Sequence, residues 1–197
     1  MTVNPYSDFQ ENWFAFLRRY TIIMNRNLPY ALTPTGANPL LSYALMSLLT
    51  VNLVSILYEG LDVYIKANNI SVKNDKLFYK IEALKLNNHL NDVTGLHILR
   101  EARNTVAHTN EMLVDGDKLA EYISLVDETF QQLNLTSTRP DYQASFYQDP
   151  VEPLTNDIVE SVIQRFCLTL NGVEILVFRS RVDFFPNGGW VLTSIHN

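Results

Sequence analysis

The chain has 197 residues and a formal net charge of −6, with 47% hydrophobic residues, 10 Phe, 10 Tyr and 2 Trp. That is enough apolar material for a sizeable core and one or two domains, and it excludes a disordered chain. The acidic balance excludes a surface that coats nucleic acid generally, and the single cysteine, Cys167, excludes an intramolecular disulfide. Cys167 reads as a packing residue within a strand. Charged and polar residues interrupt the N-terminus, no secretory signal is visible there, and a reducing cytoplasm is the expected setting.

Ser7 and Gln10 have the spacing of a capping box, and Phe9, Trp13, Phe16, Leu17 and Tyr20 then fall on one helical face. Pro29, Pro34 and Gly36 mark a loop. Leu40 to Tyr58 carries no charge over nineteen residues, which is long enough to cross a bilayer. Ser42, Ser47, Thr50, Asn52 and Ser55 are spread around this helix, and it continues into Glu59, Asp62 and Lys66. The expectation is therefore a buried central helix and no membrane span. Glu59 or Asp62 is either a group that orients a later arginine or a solvated charge at a helix end. Asp75 to Leu86 reads as a short helix with Leu77, Phe78, Ile81 and Leu84 inward. Lys76 and Lys80 would lie outside, as phosphate contacts or as a solvated face.

Thr94 is placed to cap a fourth helix, and Asp115-Gly116 turns the chain into a fifth that buries Leu119, Tyr122, Ile123, Val126, Phe130 and Leu133. From Thr136 to Asp157, Pro140, Pro150 and Pro153 sit among polar residues, which suggests a linker or extended arm; Tyr142, Phe146 and Tyr147 are able to pin it to the helices. Asn171-Gly172 is a strong two-residue hairpin signal that would pair Leu170 with Val173, Leu168 with Ile175 and Phe166 with Val177. A second turn at Asn187-Gly188-Gly189 leads into Trp190-Val191-Leu192. The expected fold is mainly α: an up-and-down helical bundle over 1–135, a linker or arm over 136–157, and a three-stranded antiparallel β-meander over 158–197. A meander of that size needs to pack on the bundle or on a partner.

The chemistry-bearing stretch is the fourth helix. Leu96, Leu99, Ala102 and Val106 have core spacing, while Arg100, Asn104 and His108, four apart, form a second stripe with Arg103 beside it. A guanidinium matches a phosphate with a fork of donors at any working pH, and an imidazole exchanges protons near neutrality. Together they suit metal-free cleavage of RNA, with the ribose 2′-hydroxyl as nucleophile. Charge supports a local RNA cleft: Lys66 to His108 holds seven bases and four acids, whereas Glu111 to Glu160 holds eleven acids and two bases. Arg103 and His108 are five apart, roughly 140° around an ideal helix. Two copies of the helix meeting across a symmetric interface would bring the two residue types together.

Arg-Asn-Thr-Val-Ala-His at 103 to 108 resembles the ribonuclease motif of the HEPN superfamily, an Arg, a polar residue and, a few positions on, a His within a helical bundle. The resemblance implies Arg103 and His108 as catalytic residues and Asn104 as their polar support. It also implies a homodimer with a composite site, metal-independent endoribonuclease activity, and a setting as a toxin or antiphage effector with an antitoxin or defence-system partner. RNA contacts are expected from Arg100, Lys76 and Lys80, with no cofactor and no metal. The end of the central helix, Leu57 to Asp62, is similar to the second helix of several HEPN groups. Some HEPN toxins carry a modifiable tyrosine two residues after the histidine; Asn110 stands there in this chain.

Two further readings compete. One is a catalytically silent HEPN module that binds RNA or a protein, with the arm and meander as its working surface. The other is a small membrane-associated helical protein. His89, His97 and His196 have no ligand spacing and read as ordinary surface or satisfied histidines.

Overall fold

In the computed structural model, residues 6–24, 39–108, 114–170 and 172–195 are described, except for the side chains of 39–43. The loop read at Pro29, Pro34 and Gly36, and Asn110, Asn171 and His196, lie outside this set. Five helices precede four strands: α1 (Ser7–Met24), α2 (Pro39–Ala67), α3 (Leu77–Leu86), α4 (Thr94–His108), α5 (Gly116–Gln132), β1 (Tyr142–Val151), β2 (Glu160–Leu170), β3 (Val173–Phe184) and β4 (Trp190–Ser194). The molecule is mixed α then β. A helical unit extends to Arg139, and the sheet belongs to a second unit that begins at Pro140.

The helical unit is built around α2, which contacts α3, α4 and α5. Met46, Leu49, Leu53, Leu57, Leu61 and Ile65 of α2 recur at helical spacing and are all buried. Ala44–Ala67 is long and apolar enough to cross a bilayer, and this stripe is the part of it that lies in the core. Phe9 and Trp13 of α1 meet Phe130 of α5 edge-on, at centroid distances of 4.8 and 5.2 Å. Gly60 makes this approach possible, because a Cβ there would stand 2.7 Å from Phe130 and 2.8 Å from Phe9. All six apolar positions expected inward on α5 are buried.

The helix ends follow local rules. Asp115 caps α5 by accepting from the Lys118 amide at 2.8 Å. At α4 the capping carboxylate is Asp92, which accepts from the Thr94 amide at 2.9 Å. Its carboxyl is held below the usual carboxylate range first by that backbone bond. At the start of α1, where a capping box was expected, the Ser7 hydroxyl donates to Asp8 at 3.3 Å and the Gln10 amide to the Tyr6 carbonyl at 2.9 Å, while the Gln10 side chain donates to the Leu135 carbonyl, tying α1 to the chain beyond α5. Helices α2, α3 and α5 all stop with an asparagine in the left-handed region, Asn69, Asn88 and Asn134. In each case the next amide returns to a carbonyl in the last turn: Ile70 to Ile65, His89 to Leu84 and Leu135 to Phe130.

The sheet is a four-stranded antiparallel meander in the order β1-β2-β3-β4. The stretch read as a linker or arm supplies the additional strand, from Tyr142 opposite Leu170 to Val151 opposite Ser161. Its prolines obscured it, yet Pro150 is tolerated because β1 is an edge strand. The hairpin register is as expected for Leu170–Val173 and Leu168–Ile175. A shift between Phe166 and Cys167 then places Phe166 opposite Phe178, where Val177 was expected, and the two rings stack at 5.7 Å. Gly172, at φ +77°, supplies the turn conformation that a residue with a Cβ resists. The six hairpin residues do not share one environment: Phe166 and Leu168 are buried, whereas Val173, Ile175 and Val177 are exposed.

Candidate active-site cleft

Three helices of the helical unit line a cleft of about 460 Å³. Residues 54, 55 and 58 come from one face of α2, and residues 100, 103 and 104 from one face of α4. Both sets follow the spacing that stacks side chains along a helix. The start of α3 closes the cleft with Lys76, Leu77 and Phe78. Among the described residues, the lining carries three cations, Lys76, Arg100 and Arg103, and no carboxylate.

Arg103 donates from Nη1 to Oδ1 of Asn104 at 3.3 Å. Its amide neighbour thus steadies the guanidinium without cancelling its charge. Arg100 donates to Glu101 at 3.1 Å, and its guanidinium carbon lies 5.4 Å from the centre of the Phe78 ring. Lys76 is exposed at the rim of α3. Four of the six residues expected to act on RNA, Arg100, Arg103, Asn104 and Lys76, therefore converge on one cleft.

The other two do not. His108 is the last residue of α4, exposed and outside the cleft lining. It continues the stripe of Arg100 and Asn104 but stands a turn beyond Asn104, the last residue of α4 in the cleft lining. Lys80, expected on the outside, is buried at 3% exposure. Lys76 is the extended residue just before α3, whereas Lys80 lies within the helix, and its ammonium is retained in the core by ion pairs with Asp62 and, at 2.7 Å, with Asp75. Burial pushes its pKa down, but the bonds to Asp62 and Asp75 outweigh that and raise it. Neither acid read as a possible partner for Arg103 takes that role. Glu59 accepts from Asn12 at 2.8 Å, and Asp62 is held by Lys66 and Lys80.

Tyr58 connects the cleft to this buried group. It lines the cleft, its hydroxyl donates to Asp75 at 2.7 Å, and Lys80 lies 4.6 Å from its ring centre. The bond to Asp75 raises the phenol pKa, so Tyr58 is a neutral donor at neutral pH. Phe78, like Lys80, differs from its sequence-based placement. It was read as core, but it is 40% exposed in the cleft, with Arg100 on one hand and the His97 ring 5.1 Å away on the other. Its place in the first turn of a helix that opens without a side-chain cap was the available signal.

His89 bonds the Tyr64 hydroxyl at 2.9 Å, and His97 bonds Glu82 through Nε2 at 2.8 Å while its buried Nδ1 has no hydrogen-bond partner among the described residues. Among the described residues, no three His, Cys, Asp or Glu side chains group as a metal ion would require. Compared with protein-family models, with curated proteins and with solved structures, the chain matches none.

Proposed function

We propose that this protein is a HEPN-type, metal-independent endoribonuclease that cuts RNA by attack of the substrate's own 2′-hydroxyl. The observation that carries the proposal is the cleft itself: Arg103 and Asn104 of the motif share it with Arg100 and Lys76, and among the described residues no carboxylate lines it. Such a cavity attracts a phosphodiester and holds charge that develops on phosphorus. In the proposed reaction His108 removes the 2′-hydroxyl proton and the 2′-oxygen attacks phosphorus. The P–O5′ bond breaks and the 5′-oxygen takes the proton that the histidine carries, while Arg103 stabilises the pentavalent centre. The products are a 2′,3′-cyclic phosphate and a 5′-hydroxyl.

On this reading a second copy of the chain supplies the histidine, because His108 lies outside the cleft of its own chain. In a symmetric dimer, Arg103 of one copy and His108 of the other would flank one phosphate. The cellular setting that goes with the motif is a cytoplasmic toxin or antiphage effector restrained by a partner protein. The same placement of His108 favours one runner-up, a silent module that binds RNA through the cleft without cutting it.

Mixing two inactive variants tests the dimeric site. Arg103→Ala and His108→Ala should each cut RNA at least ~100-fold more slowly than the parent, with melting temperatures nearly unchanged. Mixed in equal amounts and allowed to exchange, they should regain about a quarter of parent activity, because half the dimers are hybrids with one intact site of two. No recovery would reject the shared site. Parent-level cleavage by either variant would reject the residue assignment, and an inactive parent that still binds RNA would favour the silent module.

A further inference from the structure

We infer that Phe78, flanked by Arg100, is a stacking platform that receives a nucleobase of single-stranded RNA beside the phosphate held by the cleft. The inference rests on the RNA reading above and names the group that would select the form of the RNA. A phenylalanine is ordinarily among the more buried residues. Phe78 is 40% exposed, and it is exposed in the cleft that concentrates Lys76, Arg100 and Arg103. The ring is also held in place. The Arg100 guanidinium lies 5.4 Å from its centre, the His97 ring 5.1 Å, and the Tyr79 ring 5.3 Å edge-on. His97 is itself fixed by Glu82. A restrained aromatic ring beside a cationic track is the arrangement by which proteins hold unpaired bases, since every base offers a π-face while the cations follow the backbone.

Charge complementarity identifies the occupant. An apolar peptide would bring no negative charge to the three clustered cations, whereas a nucleotide supplies both a flat apolar ring and a phosphate. A base already stacked inside a duplex offers no free face, so the platform favours unpaired RNA.

The test is equilibrium binding of the full chain to a short 2′-O-methyl RNA strand, which lacks the nucleophile and is not cut. An abasic strand with the same sugars and phosphates serves as reference. The parent should bind the base-bearing strand about 10-fold more tightly than the abasic one. Phe78→Leu should lose most of that difference and bind the abasic strand as the parent does, and Phe78→Trp should keep the preference. Equal binding of the two strands by the parent, or an undiminished preference in Phe78→Leu, would overturn the platform while Arg103-dependent RNA binding stood. Failure of the parent to bind either strand would overturn the RNA reading and the platform with it.

Discussion

Two neighbouring groups of charge on the helical unit have opposite constructions. The cleft holds Lys76, Arg100 and Arg103, with no carboxylate among the described residues of its lining. Behind it, Lys66 and Lys80 are matched by Asp62 and Asp75, and the Lys80 side chain is 4% exposed. Tyr58 borders both. Burying a cation among carboxylates makes it part of the fold, because its cost in low dielectric is offset only by partners that stay in place. Cations at the open cleft, Arg100 with its exposed neighbour Glu101 included, contribute little to folding and are available to an anion. Lys76 and Lys80, one helical turn apart, fall on opposite sides of that division.

The largest effect expected from this difference is on stability. Lys80→Met should destabilise the protein by about 2 kcal/mol, below the usual cost of breaking a buried pair because Asp62 is partly exposed and keeps Lys66. Cleavage per folded molecule should be unchanged well below the melting temperature. The pH dependence has a definite sign. Burial pushes the Asp62 carboxyl up, but its bonds to Lys66 and Lys80 hold it below its ordinary value. That contribution is present above the unfolded carboxylate pKa of about 4 and is lost as pH falls through the depressed folded value. Denaturant melts from neutral to acidic pH should show the parent losing more stability than Lys80→Met. Loss of activity in Lys80→Met without loss of stability would instead place Lys80 in the working site.

How much of this was legible in sequence depended on what decided each feature. The apolar stripes of α2 and α5 were legible because burial follows a fixed helical period, and the α4 motif placed Arg100, Arg103 and Asn104 correctly on one face. Lys80 was not legible. Its outward placement assumed that a charged residue avoids the core, and the partners that retain it, Asp62 and Asp75, come from α2 and from the segment before α3. Phe78 failed for the converse reason, since apolar spacing does not reveal that the first turn of α3 borders a cavity. Strand β1 was hidden by Pro150, whose missing N–H matters little on an edge. The shift at Phe166 is a property of the strand pair and has no local signature.

A smaller effect sharpens the comparison from the open side. Lys76→Ala should weaken binding of the uncleavable RNA strand a few-fold, and lower the salt slope of log affinity by about 0.7, as expected for one lost phosphate contact on a single strand. Its melting temperature should match the parent's. Anisotropy titrations across a range of KCl concentrations measure both quantities. An unchanged slope would remove Lys76 from the RNA path and leave the two arginines to carry it.

The most direct test of the central claim is cleavage in excess EDTA of paired RNA substrates that differ by one 2′-deoxy sugar at the cut site. The all-ribose strand should be cut, giving a 2′,3′-cyclic phosphate on the 5′ fragment and a 5′-hydroxyl on the 3′ fragment. The deoxy strand should remain intact at that position, because its nucleophile is missing. Efficient cutting of the deoxy strand, or a strict requirement for Mg²⁺, would contradict the proposed chemistry.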